Sequence, residues 1–347
     1  MQAMMSSDLF FRDKISVAVL GATNLMGQKL IQLLASHPWF QVVALCDLEP
    51  FVGQSYGEAI SLSLSVSLPA SIVNMPILPC KPPLNCALIF STLDPQVAAA
   101  IEIPFAAAGY FVISLFSCAQ DQHVPQVVAT VNPEHLTIIE KQHFAKGGIV
   151  AIPQSFVIEL TVALKPLLDQ FGLEAVQVMA FQPDSQTSDP QLPVIFPEGW
   201  QAKVEREPLK ILGTVRSGEI QDADFQINVG AMCMPDVKEQ QVDISVRLKK
   251  EAHPEQLIQA WLQFASGPQR LQLPTAPFQA LFYFPQNDFS SEVEHVSHQK
   301  GVKIAHLCPQ SLLNYNFTLI PSTQGNRMVE AALLNAELLV SRGKIYW

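Results

Sequence analysis

In the segment VAVLGATNLMGQKL, Gly21 and Gly27 bracket a turn between an apolar run and a helix-like one. At such a turn, backbone N–H groups and the helix dipole can hold a pyrophosphate, provided glycines let the phosphate come close. The middle glycine place is taken by Asn24. A tight strand-to-helix turn with no ligand has the same pattern, so the surrounding elements must decide between the two readings. A second group is His295 and His298 in EVEHVSH, with Glu292 and Glu294 close by. Histidines at i, i+3 suit one helix face and a metal, but no third ligand is fixed, so the segment reads as a polar loop and no metal site is expected. Cys46, Cys80, Cys86, Cys118, Cys233 and Cys308 lack metal-ligand spacing and read as small buried hydrophobic side chains in a reducing compartment. Phe278, Phe282, Tyr283 and Phe284 alternate imperfectly and read as core or interface.

The elements that must position these groups follow from hydrophobic periodicity. Ile15 to Leu20 is an apolar run ended by Gly21, and Gln28 to Leu34 continues with Leu30, Leu33 and Leu34 at helical spacing. Val42 to Cys46, closed by Asp47, is a second apolar run. Ala87 to Ser91 and Phe111 to Ser114 are further strands, separated by a helix from about Pro95 to Ala108. Strand and helix alternating, with continuously apolar strands, imply an α/β domain with a doubly wound parallel sheet. The glycine turn then lies in the first βα unit, which favours the dinucleotide reading. After Gly148 the pattern changes. Val150 to Ile152 reads as a strand, Val157 to Phe171 as a helix ended by Gly172, and Leu173 to Phe181 as a strand, before a Pro- and Ser-rich loop from Gln182 to Gly199. Phe225 to Val229, Gln241 to Leu248, Ala280 to Phe284, Lys303 to Leu307 and Asn316 to Ile320 are strand-like, with one helix from Pro254 to Ser266 stopped by Gly267. This predicts an α+β second domain with a mostly antiparallel sheet. The expected division is 1–152, 153–325 and a C-terminal helix in 326–347 that packs back on the first domain; no internal repeat is present.

Taken together, these segments resemble the aspartate-semialdehyde dehydrogenase family. Its opening Gly-Ala-Thr-Gly-x-x-Gly is matched by Gly21, Ala22, Thr23, Asn24, Leu25, Met26 and Gly27. VPQVVATVNPEHL from Val124 is similar to the family's Val-Pro-x-Val-x-Pro-Glu-Val-Asn, and LKPLLDQFGLEAV, LKILGT and LNAELLV follow in family order. The resemblance implies a Rossmann-type domain followed by a catalytic and dimerisation domain of the semialdehyde dehydrogenase type, in a homodimer or dimer of dimers. It implies cofactor contacts from Gly21, Thr23, Asn24, Leu25, Met26, Gly27, Asp47 and Ser91. It also implies a reaction, reductive dephosphorylation of an acyl phosphate by NADPH through a cysteine thioester, with a histidine moving the proton.

This chain departs from that pattern where the chemistry should be. The family's Asn-Cys pair stands at a helix start, which lowers a thiol pKa; here the pair is Gln154 and Ser155. The histidine place is Gln240, which cannot take a proton, and loss of general-base catalysis alone costs roughly 10²- to 10⁴-fold. The arginine before that histidine becomes Cys233, removing a bidentate carboxylate ligand, and the Ser-Gly-Ala-Gly segment becomes Ser185 to Ser188. LFSCAQDQ carries no phosphate-binding arginine. Leu48 and Pro50 replace the serine and arginine that hold an NADP 2′-phosphate, while Asp47 before them would repel that group and accept from a ribose diol, favouring NAD. The asparagine that meets the nicotinamide amide becomes Thr323. Lys203 and Glu207 are retained; Lys203 reads either as an anion ligand or as part of a solvated helix. A Ser155–Lys203 nucleophile and base pair would make a hydrolase, but only with the lysine both close and deprotonated. Usg-type relatives of the family carry serine at the nucleophile place, so the chain resembles them most.

The expected function is therefore a non-catalytic homodimer that binds a protein partner or small ligand of unknown identity, with NAD or NADP binding weakened. The alternative is an active NAD(P)-dependent oxidoreductase on an aldehyde or acyl phosphate, in amino-acid biosynthesis. Composition narrows the field further. Of 347 residues, 49% are hydrophobic and 15% charged, which excludes disorder and leaves little surface needing solvation, as a large oligomer interface would. A net charge of −10 with no basic cluster argues against nucleic acid. Val97 to Phe116 is broken by Glu102, Pro104 and Gly109, so no membrane span is expected, and MQAMMSSDLFFRDK lacks signal-peptide character. A cytoplasmic protein is the expectation.

Overall fold

A computed structural model of the chain describes residues 14–60, 68–116, 123–144, 146–183, 199–234, 241–285, 300–320 and 326–345. By contacts the chain divides into two compact units, one drawn from Met1–Cys118, Gln142–Val150 and Leu339–Trp347, the other from Ala119–Lys141 and Ala151–Leu338.

The first unit is built on strands β1 (Ile15–Leu20), β2 (Phe40–Asp47), β3 (Ile77–Pro79), β4 (Leu88–Ser91), β5 (Phe111–Ser114) and β6 (Gly148–Ala151), in the spatial order β3-β2-β1-β4-β5-β6. β1 pairs in parallel with β2 and β4, β2 with β3, and β4 with β5. Helix α1 (Leu25–Ala35) follows β1 and α4 (Pro95–Ala107) follows β4, with short helices α2 (Tyr56–Ala59) and α3 (Ala70–Val73) before β3. β4 is buried along its whole length, and Val17 to Leu20 of β1 are inaccessible, as strands covered on both faces must be. This is the doubly wound sheet the sequence predicts. Its order reverses between β1 and β4, so the carboxyl ends of those strands frame the crevice in which such folds bind ligands. The first helix begins at Leu25, earlier than its apolar spacing predicts, because Asn24 caps it. Asp94 caps α4 and Pro95 takes its first turn. The elements α2, α3 and β3 were not anticipated; each is too short to show a period.

The second unit holds β7 (Leu173–Pro183), β10 (Gln226–Met234), β11 (Gln241–Leu248), β12 (Leu281–Phe284), β13 (Val302–Pro309) and β14 (Tyr315–Ile320), in the order β10-β7-β11-β14-β13-β12. β8 (Thr214–Arg216) and β9 (Glu219–Gln221) form a separate hairpin. β11 is antiparallel to β7 and β14, and β14 to β13, while β10–β7 and β12–β13 are parallel. The sheet is thus mixed, with antiparallel pairs in the majority. Its helices are α5 (Ser155–Phe171), α6 (Trp200–Ile211), α7 (Pro254–Leu262), α8 (Gly267–Arg270) and α9 (Asn326–Ser341). Phe156 to Leu164 of α5 are all buried, the mark of a helix inside a core. The fully buried Trp261 of α7 donates its indole N–H to Ala163 O of α5 at 3.0 Å and stacks edge-on to Phe317 of β14. On the sheet face away from Val176, Val178 and Ala180, the rows run Gln177–Asn228–Ser245–Asn316 and Met179–Gly230–Asp243–Thr318, with Phe181 beside Met232. Phe278 is fully exposed, which removes it from the core of this unit, because it sits in the turn before β12. Among the described residues no helix is long and apolar enough to cross a membrane.

Candidate functional site

In the first unit the turn between β1 and α1 depends on close backbone approach. Gly21 has φ +75°, and a Cβ there would meet Thr92 Oγ1 at 2.8 Å and Asn24 Nδ2 at 2.9 Å. A Cβ on Gly27 would lie 2.2 Å from Gly21 O, so glycine alone lets α1 start against the turn. The N–H groups of Gly21 and Ala22 donate to Cys46 O at 2.9 and 3.1 Å, tying the turn to β2, and the buried Tyr56 hydroxyl donates to Ala22 O at 3.1 Å.

The polar side chains of the turn are engaged with one another. Asn24 Oδ1 accepts from Gly27 N–H at 2.8 Å, and its amide donates to Thr92 O at 2.7 Å and lies 3.1 Å from Thr92 Oγ1. Asp47, at the end of β2 and 8% exposed, accepts from the Thr23 N–H at 2.8 Å and hydroxyl at 2.7 Å through Oδ2. Its Oδ1 accepts from Leu48 N–H at 2.8 Å. Gln28 donates to Thr23 O at 2.6 Å. The first-turn N–H groups left open belong to Leu25 and Met26. They can receive one anion at the positive end of α1.

The structure thus brings Gly21, Thr23, Asn24, Leu25, Met26, Gly27 and Asp47 into one cluster. Ser91 stands apart: it is fully buried, and its hydroxyl turns toward Glu102 of α4. Ser114 donates to Glu102 Oε1 at 2.7 Å. Burial pushes the Glu102 carboxyl above the usual range, and the two serine hydroxyls oppose that shift. Burial likewise pushes the thiols of Cys80 and Cys86 up to about 12 and raises Cys46 as well, so these are protonated, inert thiols. Cys308 is exposed, against its expected burial, because it lies at the frayed end of β13.

In the second unit Ser155 is the first residue of α5, at the predicted helix start, and is half-buried beside Gln154. The next residue, Phe156, packs its ring on Trp200 at the start of α6, centroids 5.5 Å apart. Lys203 is exposed one turn along α6. Glu207, a turn further, has a buried Oε2; burial raises its carboxyl, while the Gln126 amide and the Lys203 and Lys210 ammonium groups pull it down. Gln126 and Lys210 line a cavity of about 240 Å³ with His123, His135, Glu219 and Asp222. His135 is fully buried, paired with Asn132 Nδ2 at 3.0 Å and Gly213 O at 3.2 Å, and burial lowers its pKa, so it is a neutral structural imidazole. No hydrogen bond among the described residues joins Ser155 to Lys203 or to any other base. Gln240, Ser185 to Ser188, Thr323, Cys118 and the EVEHVSH histidines lie outside the described residues. Thr92 and Tyr56 escaped the sequence reading. Thr92 follows the β4 strand at the reversal of sheet order, a position that flags it in retrospect; nothing local marks Tyr56.

A doubly wound sheet with a glycine turn at its switch point, followed by a mixed-sheet unit, defines a chain of two units, the first Rossmann-like. The sequence model of the semialdehyde dehydrogenase NAD-binding domain matches residues 16–139. The aspartate-semialdehyde dehydrogenase of Archaeoglobus fulgidus is 30% identical over 344 residues, covering 94% of this chain and 98% of the relative; that of Candida albicans is 30% identical over 359 residues, with 94% and 98% covered. The crystal structure of the Candida albicans enzyme with NADP superposes with a TM-score of 0.85 at 28% identity, covering 96% of this chain and 100% of that one. The chain belongs to the aspartate-semialdehyde dehydrogenase family.

Proposed function

We propose that this chain keeps the semialdehyde dehydrogenase scaffold and has lost its acyl-enzyme chemistry. The observation that carries this reading is Ser155 at the first position of α5, half-buried and without a hydrogen-bonded base among the described residues. A helix N-terminus that turns a thiol into a thiolate does little for a hydroxyl, which needs a base to become nucleophilic. The residue expected to supply that base is Gln240, an amide. If the turn of the first unit takes a dinucleotide, the open N–H groups of Leu25 and Met26 would receive a phosphate; Asp47 Oδ2 is taken twice by Thr23, while Oδ1, taken once by Leu48 N–H, keeps a site for a ribose hydroxyl. We propose NAD(P) binding weaker than in catalytically active relatives.

The assembly we propose is a homodimer. The low charge fraction and the sheet face bearing Met179, Phe181 and the half-exposed Met232 support it. The second reading is an active NAD(P)-dependent semialdehyde dehydrogenase, favoured by the near-complete coverage of the Archaeoglobus relative. The test is phosphate-dependent oxidation of aspartate semialdehyde, with NAD and NADP, by wild type, Ser155→Cys and the Ser155→Cys/Gln240→His double variant. No turnover by wild type, with activity appearing in the double variant, supports the first reading. Measurable wild-type turnover overturns it in favour of the second.

A further inference from the structure

We infer that Asn24 is a built-in occupant of the phosphate subsite and sets how strongly this chain excludes dinucleotides. The inference rests on the reading above that the β1–α1 turn is the remnant of an NAD(P) site, and goes beyond it by naming the residue that closes it. In a loop of this kind the middle glycine has no side chain, so that backbone and pyrophosphate can approach each other. Here a side chain fills that place and is held on both sides. Its Oδ1 takes the Gly27 N–H at 2.8 Å, as an anion oxygen at the helix start would. Its Nδ2 is anchored on Thr92 O at 2.7 Å, across the crevice at the end of β4. The amide also covers Gly21: a Cβ built there would lie 2.9 Å from Asn24 Nδ2 and 2.8 Å from Thr92 Oγ1, so the hollow left by the absent Gly21 side chain is filled.

A phosphate that took the Gly27 N–H beside the open N–H groups of Leu25 and Met26 would have to displace Asn24 Oδ1 from it. The energetic balance favours the resident group, because the amide is tethered and its bonds are already made, whereas a ligand loses translational freedom and must leave water. The turn keeps its geometry without a ligand: Asn24 is the N-cap of α1 with extended backbone, φ −73° and ψ 165°, a conformation open to any residue. Replacing it by glycine is therefore compatible with the backbone and removes only the plug and the cap.

The experiment is calorimetric titration of NAD and NADP into the full chain as wild type, Asn24→Gly and Asn24→Ser. Asn24→Ser retains a capping hydroxyl but is too short to reach Thr92, so it keeps the question open to test if the glycine variant folds poorly. Thermal melts of each variant confirm folding. Expected is wild-type binding in the millimolar range or weaker, at least tenfold tighter binding by Asn24→Gly, and an intermediate gain for Asn24→Ser. Unchanged or weaker binding in both variants overturns the inference, as does the absence of binding by wild type and both folded variants. Failure here is distinguishable from failure of the proposed function: turnover of aspartate semialdehyde by wild type would overturn the loss of chemistry while leaving an affinity gain in Asn24→Gly intact.

Discussion

Glu102 shows how a single residue can load a core. It is 1% exposed on α4, faces Ser91 and Ser114, and its carboxyl is held above the usual range by burial. A carboxyl raised in the folded state keeps its proton there after the unfolded chain has lost its own. The contribution of Glu102 to stability is therefore fully present below about pH 4.3 and is lost as pH rises through the raised folded value. Glu102→Gln keeps an acceptor for Ser114 and cannot ionise. The variant is expected to be more stable than wild type at pH 8, with the advantage vanishing by about pH 4. Urea unfolding at the two pH values checks this; an equal effect at both would show that the carboxyl is not the source.

At the scale of elements, α5 and α9 are joined by a buried ion pair. Glu159 lies one turn past Ser155 and is 1% exposed; Arg327 at the start of α9 meets its Oε1 at 3.1 Å, lies 3.5 Å from Glu330 and donates to Gly301 O. Removing the guanidinium leaves the buried Glu159 carboxylate with the Lys303 ammonium as a neighbouring cation but without its paired donor, which costs more than the net worth of the pair. Arg327→Met is expected to destabilise the protein by about 3–5 kcal/mol, while Arg327→Met/Glu159→Leu recovers much of the loss. Chemical unfolding of the two variants tests this, and a double variant as unstable as the single one would refute the ion-pair account. The ion pair ties α9 to α5 one turn past Ser155.

For the whole molecule the central prediction is association. A 15% charge fraction and a β-sheet face with Met179, Phe181 and Met232 fit burial against a second copy. Sedimentation at micromolar concentration is expected to give twice the 38.2 kDa chain mass, and Met232→Asp with Phe181→Asp to move the protein toward the monomer. A wild-type monomer under those conditions counts against the proposal.

The strands from Ile15 to Leu20 and Phe111 to Ser114, the last helix and the family are legible in the chain alone, because apolar periodicity and the glycine turn are local signals carried by consecutive residues. Gly21, Asn24, Gly27 and Asp47 are legible there as well, since they lie within or directly after elements that these signals place. The tertiary structure alone decided which way their side chains turn. Asp47 meets Thr23, Asn24 meets Thr92 and Ser114 meets Glu102 across separations that no period spans. A hydrogen bond in the folded chain depends on distance in space, and for residues far apart in sequence only the packed fold sets that distance.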